Sequence, residues 1–206
     1  VITADWRDGS LHLEHRAAAH IGGGLFIVDF AGDERKMGFY ASPRSMEVTT
    51  MTIARKLQDY IDGEGIAYDT VPHHRTATTS QTAQAAHVPG NSLAKSVVVH
   101  HEMGYVLAVV PSTHRIELST LQEVMNRRLG LASEEEVSEL FADCDTGAVP
   151  PIGSAYDVPV ILDESLGNAN DVYFEGGDHK TLVHVSGSNF RSLMKDAQVA
   201  RFSHLA

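Results

Sequence analysis

The sequence predicts an α+β fold built on a mixed or largely antiparallel sheet. Three observations predict it. Runs of β-branched residues return on themselves across turn-like segments, as in Ala94–Val99 followed by Tyr105–Val110. Amphipathic stretches with helix-capping signals are interspersed among those runs. No regular strand–helix–strand alternation, internal repeat or low-complexity tract is present.

The elements follow in order. Residues 1–45 lack sustained periodicity and are expected to be an N-terminal extension, with 46–206 the compact domain. The extension holds Gly22-Gly23-Gly24, a strand-like Leu25–Val28 and a loop-like Ala41–Ser45. Residues 52–62 place Ile53, Leu57, Tyr60 and Ile61 on one helical face, and Gly63 and Gly65 stop the helix. Ile66–Val71 reads as extended up to Pro72. Ser80 opens a small-residue helix through Ala86. After the strand pair, Ser119 with Gln122 caps a helix ended by Gly130, and Ser133 with Glu136 caps another reaching Phe141. Strand-like runs follow at Val158–Leu162, Asp171–Phe174 and Thr181–Val185, and Ser188 caps a last helix over 189–197.

Composition narrows the function classes. The formal net charge is -11, and from residue 46 onward eleven Lys and Arg stand against twenty-one Asp and Glu. That balance argues against sequence-independent binding along a nucleic-acid backbone and favours a brief encounter with an RNA end. No apolar run approaches the roughly 18–20 residues that span a bilayer, so no membrane association is expected. The single cysteine, Cys144, and the absence of a visible secretory signal point to the cytoplasm.

Three segments carry candidate chemistry. Lys95 enters an apolar strand, where a partly desolvated ammonium acts strongly on a carbonyl or phosphate; a strand-edge lysine in solvent is the plain alternative. The loop Gly147-Ala148-Val149-Pro150-Pro151-Ile152-Gly153 is too apolar for a solvated linker. It either presents backbone groups to a small ligand or is a rigid crossover. Asp178 beside His179 either orients an imidazole or binds a substrate hydroxyl, or closes a polar turn on Gly176-Gly177. No His-Glu-x-x-His, Cys-x-x-Cys or Gly-x-Ser-x-Gly pattern occurs among the twelve histidines and one cysteine, and no metal is expected. Asp143 and Asp145 flank Cys144 and would raise its pKa.

Together these segments resemble the YbaK-type aminoacyl-tRNA deacylase family, which includes the editing domain of bacterial prolyl-tRNA synthetases and its free-standing relatives. The resemblance runs from about Ile66 to Leu193. It rests on Thr76-Ala77-Thr78-Thr79, Ala94-Lys95-Ser96-Val97, Val109-Val110-Pro111, the 147–153 loop, Leu162-Asp163-Glu164-Ser165 and Tyr173-Phe174-Glu175-Gly176-Gly177. It implies a curved mixed sheet approaching a barrel, flanked by helices. It implies hydrolysis of the ester that joins an amino acid to the tRNA 3′ end, with no cofactor, no metal and no covalent side-chain nucleophile. By resemblance Lys95 positions the substrate, and Gly147, Ala148, Val149, Pro150 and Gly153 hold the aminoacyl group. Ser96, His73, Asp178 and His179 join them as substrate-binding residues. Two departures stand out: His73 where some members carry tyrosine, and Leu182 where some carry aspartate.

The expected function is therefore trans-editing of misacylated tRNA, with alanyl-tRNA(Pro) as a candidate substrate and prolyl-tRNA synthetase or an elongation factor as candidate partners. Ala148, Val149 and Ile152 are candidate walls of a pocket that selects small side chains. Arg75, Arg115, Arg127, Arg128, Lys180, Arg191 and Lys195 are candidates for a basic cluster around it. A non-catalytic module that binds aminoacyl-adenosine or a synthetase is the alternative, and hydrolysis of another small ester or amide is a third.

Overall fold

The computed structural model describes residues 53–76 and 78–206, together with four short strands between residues 5 and 28. The chain divides into two compact units, Val1–Met46 and Glu47–Ala206. In the first, β1 (Asp5–Arg7) pairs antiparallel with β2 (Ser10–His12), and β3 (Ala17–Ile21) with β4 (Gly24–Val28). The strand expected at Leu25–Val28 lies in β4. The 22–23 glycines, the 41–45 loop and the boundary near Met46–Met51 lie outside the described residues.

The second unit carries a mixed sheet of β5 (Asp69–Pro72), β6 (Leu93–His101), β7 (Gly104–Pro111), β9 (Gly130–Leu131), β10 (Val160–Asp163), β11 (Asp171–Glu175), β12 (Thr181–Ser186) and β13 (Gln198–Ala200). Its order is β13-β10-β7-β6-β11-β12-β5, with β9 added to β6. The β10–β13, β10–β7 and β11–β6 pairs are parallel and the others antiparallel. A separate ribbon joins β8 (His114–Ile116) to β14 (Ser203–Leu205). The sheet is flanked by helices α1 (Arg55–Gly63), α2 (Thr79–Ala85), α3 (Leu118–Met125), α4 (Glu134–Leu140), α5 (Glu164–Gly167) and α6 (Gly187–Leu193).

The valine run of β6 is explained by burial on both faces. Ala94 and Val98 join the cluster that packs under Leu57, Ile61, Phe174 and Phe190. Val99 faces the opposite cluster of Val110, Leu121 and Phe202. A strand covered on both faces loses the polar alternation of an edge strand.

Three helix starts differ from the sequence expectation. Thr78, not Ser80, caps α2, accepting from the Gln81 N–H. Glu117 precedes α3 with no side-chain cap, and left-handed Asn126 ends it. Gly130 instead lies against the His100 ring. Ser186 caps α6 in place of Ser188, because Gly187 already begins the helix and packs against the Ala169 carbonyl. The Ser133–Glu136 capping box forms as the sequence predicts. Among the described residues no helix is long and apolar enough to cross a membrane.

Candidate functional site

The site begins as a split in the sheet. Strand β7 covers one edge of β6 from Ala94 to His101. On the other edge β11 pairs only with Leu93 and Ala94, and β9 only with Val99 and His100. The intervening edge opens into a cleft of about 580 Å³, lined there by Ser96, Val97 and Val98. That volume suits a small organic ligand. One wall carries apolar Leu131, Ala132 and Val137, with Glu134 among them. The facing wall is polar: Thr76, Thr78, Thr79 and Thr82 around the start of α2, with Glu175 and His179. Thr146, Gly147 and Val149 close one end, and Arg75 stands at the rim, 3.7 Å from Asp145.

Two loops build that end together. The Asp145 N–H donates to the Gly177 carbonyl at 2.7 Å, and His179 Nε2 lies 2.8 Å from the Thr146 carbonyl oxygen. A carbonyl only accepts, so His179 carries its proton on Nε2. Gly177 has φ 117°, and a Cβ there would lie 2.8 Å from the Ala54 Cβ. The two glycines therefore let the chain before α1 dock on the turn, where the Ala54 N–H donates to the Gly176 carbonyl at 2.6 Å.

Of the expected site residues, the cleft gathers Ser96, Gly147, Val149 and His179. Ala148 and Ile152 do not wall it: both are buried in the core. Pro150 is buried too, and Gly153 serves close packing, since a Cβ there would strike the Val158 carbonyl. Asp178 neither lines the cleft nor touches the His179 ring. Its carboxylate accepts from the Lys180 and Thr181 N–H groups and the Thr181 hydroxyl, which closes the turn. Lys95 is not among the residues that line the cleft, and its ammonium is turned to β8 instead. Its Nζ donates to the His114 carbonyl at 2.7 Å, and burial, aided by the Arg115 charge, lowers its pKa.

His73 stands behind the polar wall with a fully buried side chain. Its Nδ1 lies 2.9 Å from the His74 carbonyl and donates to it, and Nε2 has no hydrogen-bond partner among the described residues. Nε2 is 3.9 Å from Oε2 of Glu175, a residue only 8% exposed. Glu175 Oε1 accepts from Thr82 at 3.3 Å, while Oε2 has no partner among the described residues. Burial pushes the Glu175 carboxyl up, against the pull of His73, His179 and the Thr82 hydrogen bond. Glu175 was missed as a site residue by sequence reasoning. Its signal is an acid ending the apolar run Val172-Tyr173-Phe174.

Cys144 is held as a thiol: burial pushes it up to about 11, with Asp143 and Asp145 adding to the effect. Of the candidate basic residues, Arg75 is the one that lines the cleft; Arg128 lines a separate hollow with His100 and His101. Among the described residues no group of three or more His, Cys, Asp and Glu is gathered to hold a metal.

No curated protein matches the chain. A solved candidate trans-editing enzyme for prolyl tRNA synthetase is 29% identical, with a TM-score of 0.65, covering 73% of this chain and 96% of that one. A scaffold protein used for computational epitope backbone grafting is 28% identical, with a TM-score of 0.65 and coverage of 73% and 97%. The hypothetical protein APE2540 shares the fold at 24% identity, with a TM-score of 0.64 and coverage of 72% and 99%. The family profile described as the aminoacyl-tRNA editing domain matches residues 73–193, more than half of the sequence, and the chain belongs to that family.

Proposed function

We propose that the chain is a trans-editing hydrolase that deacylates tRNA carrying a wrongly attached small amino acid, with alanyl-tRNA(Pro) the first substrate to test. The observation that carries this reading is the split-sheet cleft, with apolar Leu131, Ala132 and Val137 on one side, threonines on another and the Gly147 end held in place by His179. An aminoacyl ester is already activated. The site then has mainly to orient water and stabilise a developing oxyanion, which fixed backbone and hydroxyl groups do without a cofactor. Ser96, the Gly147 backbone and His179 are the groups assigned to that task. The apolar side chains of Leu131, Ala132, Val137 and Val149 would set the size of the side chain admitted. On this reading the protein works in the cytoplasm on the tRNA 3′ end, with prolyl-tRNA synthetase or an elongation factor as a delivering partner.

A binding module is the second reading, and the placement of Lys95 favours it, since the expected reactive ammonium is bonded to His114 outside the cleft. Deacylation assays on a panel of misacylated tRNAs, beginning with alanyl- and cysteinyl-tRNA(Pro), separate the two. Turnover of one species establishes the hydrolase. Folded protein with no turnover of any species, yet with affinity for an aminoacyl-adenosine, establishes the module.

A further inference from the structure

We infer that Glu175 is the receptor for the substrate's free α-ammonium group, so that the cleft selects aminoacyl esters over isosteric esters lacking that charge. This deepens the editing reading and rests on it for the identity of the ester.

The inference starts from unsatisfied chemistry. A carboxylate accepts about four hydrogen bonds. Glu175 receives one, at 3.3 Å, from a Thr82 hydroxyl that also lies 3.2 Å from the Thr78 carbonyl and 2.7 Å from the Thr76 hydroxyl. The nearest basic group to its free oxygen is His73 Nε2 at 3.9 Å, beyond hydrogen-bond reach. His73 donates through Nδ1 to its neighbour's carbonyl, so that atom is turned away from Glu175. Two buried polar atoms, His73 Nε2 and Glu175 Oε2, then face each other at 3.9 Å, and neither has a hydrogen-bond partner among the described residues. Among the described residues no Lys or Arg forms an ion pair with Glu175, and Arg75 at the rim is placed against Asp145.

A third buried polar atom without a partner among the described residues is the hydroxyl of Ser96, a residue that lines the same cleft. What this wall lacks is a cationic group with several N–H donors. An α-ammonium has three N–H donors and a full positive charge, and every aminoacyl ester carries one. A carboxylate withdrawn from water gains most from such a ligand, because a charged hydrogen bond strengthens as the competing solvent is removed. A ligand hydroxyl at the same position offers one neutral donor.

The test uses two non-hydrolysable probes of equal size: 3′-alanylamino-3′-deoxyadenosine, and its lactoyl counterpart with hydroxyl in place of ammonium. Calorimetry on the full chain is expected to show wild type preferring the alanyl probe by about tenfold or more. Glu175→Gln is expected to bring the two probes to about equal affinity, and Glu175→Asp to retain a reduced preference, as a charge-assisted bond requires. Equal affinities in wild type, no binding of either probe, or a preference that survives Glu175→Gln each overturn the assignment. Because wild type alone decides the first comparison, a misfolded variant does not shield it. Turnover of alanyl-tRNA together with equal probe affinities would keep the editing reading and remove Glu175 as the ammonium receptor.

Discussion

Glu175 occupies a position where charge is costly, and the cost has a sign. Burial raises its carboxyl pKa above the ordinary range. Below the unfolded pKa the group is neutral in both states and imposes no penalty. As pH rises through the folded pKa the buried charge forms and stability is lost. Glu175→Gln keeps the shape and removes the charge. Its thermal stability at pH 7 should exceed that of wild type by about 1–3 kcal/mol, the scale of one unsatisfied buried group, with the gap closing toward pH 4. A gap independent of pH would mean that the effect is packing. Lys95 differs in that its ammonium already has a partner outside the cleft. Lys95→Ala should therefore cost less than about tenfold in kcat/KM, whereas a transition-state group costs 100-fold or more, about 3 kcal/mol. A collapse in deacylation would mean that Lys95 leaves the His114 carbonyl to reach the ester. The sequence made Ser96, Gly147 and His179 legible because they lie inside distinctive motifs. It hid the face on which Lys95 lies, because Val97-Val98-Val99 is apolar on both sides and offers no alternation to read.

Among the elements, α1, β6, β7, β11 and β12 were all legible, since each is long enough to show a period or an apolar run. Strands β8, β9, β13 and β14 were not: each has two or three residues and forms only against a distant partner, as Ser203 does against Ile116. The split that makes the cleft depends on where β9 and β11 stop pairing with β6, which local propensity does not encode. The 147–153 loop is legible by its glycines, but they act differently. Gly147 has φ 90° and leaves room, with His179 Cε1 3.6 Å from a would-be Cβ. A Cβ on Gly153 would strike the Val158 carbonyl and lie 2.6 Å from Val160 Cγ2. Gly153→Ala should lower stability by roughly 1–3 kcal/mol through overpacking. Gly167→Ala, where a Cβ meets open space, should stay within about 0.5 kcal/mol of wild type. Denaturant titration of the two variants checks the contrast, and equal effects would show that the loop yields without strain.

At the scale of the molecule, the division into Val1–Met46 and Glu47–Ala206 motivates a truncation. Removing residues 1–45 should leave a folded protein with unchanged deacylation, and loss of cooperative unfolding would make those residues part of the domain. Charge sets a second expectation. The net charge of -11 repels a polyanion, and Arg75 is the candidate basic residue that reaches the cleft. A tRNA held through many phosphates releases many counterions on binding, and its affinity falls steeply with salt. Contact with one or two phosphates of a single-stranded 3′ end gives a log–log slope of only about -1. Measured between 50 and 200 mM salt, taken as about the usual titration range, kcat/KM on alanyl-tRNA should follow that shallow slope. A short acylated hairpin with the same 3′ end should then react nearly as well as whole tRNA. A steep slope, with the hairpin much the poorer substrate, would require a basic surface away from the cleft, and would replace recognition of the 3′ end with recognition of the tRNA body.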